Sequence, residues 1–238
     1  MSYVKTMQVF GKLKGICTGL GGAYKPGQEN LQVKALTTLQ FNAQQLMDEV
    51  IEAKTAYDNI SNKRELAFRS LKSLGSRITF LLRSCGAHPL TLADAYTSNR
   101  RLAGRLRHRE PVPKPVEGEE PMSKRRAPAA AYVSKLHYFT QLVETASAEP
   151  NYRPLEPELS VEGLEQKVVE LRSLNELVMK AEQKLSRLRK QRKAMFYEGE
   201  ASLVNIGRAV RNYIRGVFGF MSDPHADLVK VSLTKPQM

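Results

Sequence analysis

The sequence predicts an all-α protein of tandemly duplicated helical hairpins that form a four-helix-bundle-like core with shorter flanking helices. Three observations predict it. Apolar residues recur at spacings of three and four over long stretches, two ten-residue segments echo each other, and a proline-rich segment separates them. From residue 32 to 57 the apolar positions Leu36, Leu39, Ala43, Leu46, Val50, Ala53 and Tyr57 trace one face of a helix. The stretch "DNISNK", Asp58 to Lys63, reads as a break, because Asn and Ser side chains compete for backbone hydrogen bonds. A second run, Leu71, Leu74, Ile78, Leu81, Leu82 and Cys85, then completes an antiparallel hairpin. The pattern returns later as Leu164, Leu171, Leu174, Val178, Ala181, Leu185 and Leu188, followed by Leu203, Ile206, Val210, Tyr213, Ile214 and Val217. Shorter amphipathic segments precede both, Val4 to Leu20 and Val133 to Ala146, ended by "GLGGAYKPG" and "AEPNYRP".

The echo extends well beyond the quoted words. "YKPGQENLQV" starts at Tyr24 and "YRPLEPELSV" starts 128 residues later at Tyr152. At that offset Leu36, Leu46, Val50, Ala53, Arg64 and Phe68 fall on Leu164, Leu174, Val178, Ala181, Arg192 and Phe196. An offset of 129 pairs Tyr3, Phe10 and Leu13 with Tyr132, Phe139 and Leu142, and one of 132 pairs Ser70, Leu71, Gly75 and Arg83 with Ser202, Leu203, Gly207 and Arg215. The second copy therefore carries four extra residues near Tyr197 to Glu200, as an inserted loop would leave. The predicted organisation is a first repeat over 1–104, a linker over 105–130 and a second repeat over 131–238, the repeats packing as one bundle. A short helix is expected from Thr91 to Gly104. The linker holds prolines 111, 113, 115, 121 and 128 and few apolar side chains, a composition for extended chain.

Composition narrows the function classes. At 238 residues and 42% hydrophobic content the chain can bury a core, yet no window approaches the roughly 18 uninterrupted apolar residues of a membrane helix. The opening "MSYVKTMQVFGKLKG" interrupts its apolar residues with lysines, so a cytoplasmic protein without membrane partners is expected. Cys17 and Cys85 read as isolated thiols, and His88, His108, His137 and His225 do not coincide under the repeat offsets, so neither a metal nor a cofactor is expected. "GLGG" at Gly19 to Gly22 lacks the Lys-Ser/Thr of a phosphate loop and reads as a helix stop. No nucleophile, acid–base pair or Glu-x-x-His arrangement suggests an enzyme.

The formal net charge is +13, and it is clustered. Candidate polyanion contacts are Arg100, Arg101, Arg105, Arg107 and Arg109, then Lys124, Arg125 and Arg126, and a second cluster of Lys184, Arg187, Arg189, Lys190, Arg192 and Lys193. Such patches bind phosphates with counterion release, but basic side chains also serve as solvated surface or sit at helix carboxyl ends. Two functions stay open: a non-enzymatic scaffold or adaptor with a protein partner, and a sequence-nonspecific nucleic-acid-binding protein.

The carboxyl half, "SLVNIGRAVRNYIRGVFGFMSDPHADLVKVSL" together with "EPNYRPLEPELSVEGL", resembles uncharacterised bacterial duplicated helical proteins. In that pattern an Arg/Lys-rich amphipathic helix runs into Val-Phe-Gly, a Ser/Pro turn and a short hydrophobic run. The chain departs from it at Ser222-Asp223-Pro224. The resemblance implies a helical bundle and carries no activity, cofactor or partner.

Overall fold

The computed structural model describes residues 2–104, 129–220, 222–229, 231 and 233. It is all-helical, with no strand among those residues: α1 (Tyr3–Gly19), α2 (Val33–Arg69), α3 (Leu71–Ser84), α4 (Pro89–Leu102), α5 (Ala129–Ser147), α6 (Val161–Tyr197), α7 (Leu203–Phe218) and α8 (Asp223–Val229). No described helix is long and apolar enough to cross a membrane.

Local chemistry sets most of the helix ends. Ser2 caps α1 by accepting from the Lys5 N–H at 3.2 Å, and α1 stops at Gly19 before Gly21, whose φ of +50° suits a residue without a Cβ. His88 caps α4 through Nδ1, which accepts from the Leu90 N–H, and Pro89 occupies the first turn where its missing N–H costs nothing. This places α4 two residues earlier than the expected Thr91 to Gly104. The echoed decapeptides are closed loops. Tyr24 donates its hydroxyl to the Leu31 carbonyl at 2.7 Å, and Tyr152 donates to the Leu159 carbonyl at 2.9 Å, both bonds buried. Each ring thus fastens the turn that leads into a 37-residue helix, α2 or α6.

Two expectations need correction. The helix α2 runs straight through "DNISNK" to Arg69. Asn and Ser cost only about 0.5 kcal/mol each in a helix interior, and burial of the apolar residues Ala53 and Phe68 on either side outweighs that. The first hairpin is a bent helix instead: Ser70 alone separates α2 from α3 and keeps right-handed helical angles (φ −73°, ψ −18°), which bend a chain without reversing it. The chain also forms α8 where the sequence pattern suggested only a turn and an apolar run.

The buried residues fall into two clusters. The chain divides into two compact units, Met1–Ala56 with Glu182–Met238, and Tyr57–Ala181. In the first unit, Met7, Phe10, Leu13 and Cys17 of α1 gather with Leu36 and Ala43 of α2, Phe196 of α6, Val210 and Ile214 of α7, and Leu228 of α8. The second unit gathers Phe139, Leu142 and Ala146 of α5, Leu164 and Leu171 of α6, Phe68 of α2, Ile78 and Leu82 of α3, and Ala95 and Leu102 of α4. Each unit therefore draws on residues from both sides of position 105.

Matching contacts recur in the two units. Arg192 lies over the Tyr3 ring at 4.0 Å, and Arg64 lies over the Tyr132 ring at 4.0 Å. Phe196 meets Tyr3 edge to face at 5.1 Å, and Phe68 meets Tyr132 the same way at 5.1 Å. Gly207 of α7 faces Leu13 and Leu233, while Gly75 of α3 faces Leu142, Leu102 and Asn99.

Candidate polyanion-contact surface

The predicted basic residues fall into three groups. Arg105, Arg107, Arg109, Lys124, Arg125 and Arg126 lie outside the described residues. Arg100 and Arg101 end α4, where cations complement the carboxyl-terminal dipole. Both are exposed, and Arg101 reaches the Tyr138 ring at 5.6 Å. Arg100 lines a shallow depression of about 350 Å³ with Lys72, Ser76, Tyr96 and Asn99. The third group lies on the last four turns of α6. There Leu185 and Leu188 are buried while Lys184, Arg187, Arg189, Lys190 and Lys193 are exposed, which brings five of the six predicted cations onto the open side of one helix.

Two residues of that last group have other partners. Lys193 Nζ sits 2.9 Å from Glu198 Oε1, and this hydrogen bond raises the lysine's pKa. Arg192 points inward: its guanidinium stacks on Tyr3, and its Nε is buried without a hydrogen-bond acceptor. Arg192 thus belongs to the packing of the α1 amino terminus and not to an open basic face.

A basic feature that the sequence analysis does not single out appears on α7. Arg208, Arg211 and Arg215 follow one another at spacings of three and four along one flank, beside the buried stripe of Leu203, Ile206, Gly207, Val210 and Ile214. Arg211 and Arg215 are half-buried, and the Nε of each is enclosed without a partner. Burial, then the positive charge of Arg215, lowers the pKa of Arg211. The guanidinium of Arg215 stands 5.5 Å from the Phe220 ring, which is 71% exposed and rests 4.8 Å from the His225 ring. The signal is present in "GRAVRNYIRG", whose arginines have helical spacing, but the run is less dense than the α6 cluster.

Charge is unevenly divided. Residues 1–56 and 182–238 hold 17 of the 37 Lys and Arg and 9 of the 24 Asp and Glu, so +8 of the net +13 belongs to the unit containing α7 and the basic end of α6. Among the described residues no group of three His, Cys, Asp or Glu is placed to hold a metal ion. His88 is used as a helix cap, and burial raises the pKa of the Cys17 thiol, which keeps it protonated.

No protein-family model, curated protein or solved structure matches this chain.

Proposed function

We propose that the chain is a tandem duplication whose copies exchange halves, and that it serves as a non-enzymatic helical scaffold. The observation that carries this is the repeated set of contacts. Arg192 on Tyr3 and Arg64 on Tyr132 are related by the sequence offsets 128 and 129, and each pair joins a residue of one repeat to a residue of the other. Gly207 with Leu13, and Gly75 with Leu142, do the same. The connection between long and third helix, one residue in the first copy and Glu198 to Ser202 in the second, differs by the four residues that separate the offsets 128 and 132. Tyr24, Tyr152, Arg64 and Arg192 of the echoed set are spent on packing: the tyrosine hydroxyls close loops and the arginines cover rings. The other echoed polar pairs, Ser70 with Ser202 and Arg83 with Arg215, include no acid or general base. A turnover found with a broad metabolite panel, and abolished by changing one residue of the depression around Arg100, would overturn the non-enzymatic reading.

The open basic side of α6 favours a second reading, contact with a nucleic acid or another polyanion. Fluorescence anisotropy with single-stranded and duplex oligonucleotides over a range of salt tests it, since phosphate contacts weaken steeply as salt rises. Flat titrations at low salt eliminate it.

A further inference from the structure

We infer that the Arg208–Arg215 flank of α7, together with Phe220, is a single-strand nucleic-acid site, in which the guanidiniums hold backbone phosphates and the phenyl ring stacks on a base. The inference rests on the polyanion reading and names the surface and the kind of strand. The three arginines climb about 10 Å of helix, near one guanidinium per turn. No carboxylate is paired with them among the described residues, although Arg211 and Arg215 are partly withdrawn from water. A half-buried guanidinium without an anion has given up part of its hydration, so an incoming oxyanion meets donors that are already partly desolvated. Arginine presents a planar fork that takes two phosphate oxygens at once.

Phe220 decides which polyanion fits. Exposed apolar side chains are ordinary on protein surfaces, and Phe41 and Phe80 are comparably open at 61% and 65%. Phe220 differs in its setting. Arg215 stands over one part of its ring and His225, itself 8% exposed, braces it from the protein side. No guanidinium is placed over Phe41 or Phe80 among the described residues. An aromatic face held beside a row of phosphate-binding cations is the pairing that single strands use, because only an unpaired base offers its own face for stacking. A duplex keeps its bases stacked on each other and would use the arginines alone.

The test measures anisotropy of a fluorescein-labelled oligothymidylate, and of a labelled duplex, with the full chain at several salt concentrations. Phe220→Ala is expected to weaken single-strand binding about 5- to 100-fold while leaving the salt dependence unchanged, because stacking exchanges no counterions. Arg211→Gln with Arg215→Gln is expected to reduce the slope of log K against log salt by about 1.4, or about 0.7 for each phosphate that is no longer neutralised. Circular dichroism checks the fold of each variant. Should the double arginine variant fail to fold, Phe220→Ala still decides, since the ring lies largely in solvent. Oligonucleotide binding unchanged in Phe220→Ala overturns this site and leaves the exposed α6 cations as the contact. Absence of wild-type binding at low salt removes the polyanion reading as a whole.

Discussion

Replacing Gly207 by Ala is expected to destabilise the protein, and the same change in a Leu233→Ala background is expected to stabilise it. Gly207 is buried in the middle of α7, where glycine costs about 1 kcal/mol relative to alanine. A Cβ at that position would overlap Leu233 Cδ1 and touch Leu13 Cδ2 at 3.4 Å. Leu233 must therefore move, and it is 3% exposed, so displacement returns most of a leucine side chain to water at a cost of about 1.5–3 kcal/mol. Subtracting the gain in helix propensity leaves a net loss of roughly 0.5–2 kcal/mol. With Leu233 already shortened to Ala the overlap is absent, the propensity gain stands alone, and the sign reverses. Coupling of this kind between contacting residues is measurable at about 0.5–3 kcal/mol. Equilibrium denaturation in urea, with slopes compared to confirm that the same surface unfolds, reads the four variants of the cycle. A higher midpoint for Gly207→Ala in the wild-type background would refute the reasoning, because it would mean that the space above Gly207 is empty.

Gly75→Ala should also destabilise, since its Cβ would lie 2.7 Å from Asn99 Oδ1 and 2.9 Å from Leu102 Cδ2; an unchanged or higher urea midpoint counts against it. Tyr24→Phe and Tyr152→Phe should each cost roughly 1–3 kcal/mol by leaving a buried carbonyl without its donor, and equal effects in the two are expected from the matching 2.7 Å and 2.9 Å bonds. Stability should fall at high pH. Burial, with the Cys85 charge next, pushes the Tyr152 pKa up to about 12, and burial also raises that of Tyr24. A folded-state pKa raised above the unfolded value of about 10 contributes stability that is complete below pH 10 and is lost as pH climbs toward the folded value. Tyr152→Phe should flatten that decline in urea midpoints, and an equally steep decline in the variant would assign it to other groups. Cutting the chain at a specific protease site placed within residues 105–128 should leave the two resulting fragments together on size-exclusion chromatography, because each unit takes helices from both. Separation in native buffer would contradict the exchange.

The elements are legible because their signals are local. Apolar spacing marks the faces of α2, α3, α6 and α7, and glycine and proline mark the end of α1 and the start of α4. Sequence and structure part where tertiary packing outweighs a weak local preference. "DNISNK" contains helix-indifferent residues, but the apolar Ala53 and Phe68 on either side are buried, and packing of those residues carries the helix through. Arg192 reads as surface because it sits in a run of cations. Its equivalence with Arg64, visible in the 128-residue offset, is the clue that both arginines do one packing task.

Partner choice is not legible, for a physical reason. An apolar stripe states that a face is buried and is silent about what buries it, since hydrophobic contact is non-directional. The apolar stripes of α2 and α6 run along 37 residues, whereas α1 and α7 offer 17 and 16. A face that outlasts its partner needs a second set of partners, and in this chain the start and end of each long helix belong to different units. If the chain is a duplication as proposed, exchange between copies is nearly neutral in contact chemistry. Leu142 meets Gly75 as Leu13 meets Gly207, so on that proposal each copy presents to the other the surface it would present to itself. What selects between the two pairings is then the connection between long and third helix. A single residue in the helical region, Ser70, cannot fold α3 back along α2, and α3 packs instead on α4 and on α5. The five residues from Glu198 to Ser202, with Gly199 at a φ of +75°, relax that constraint between α6 and α7, and α7 packs on α1 and α8.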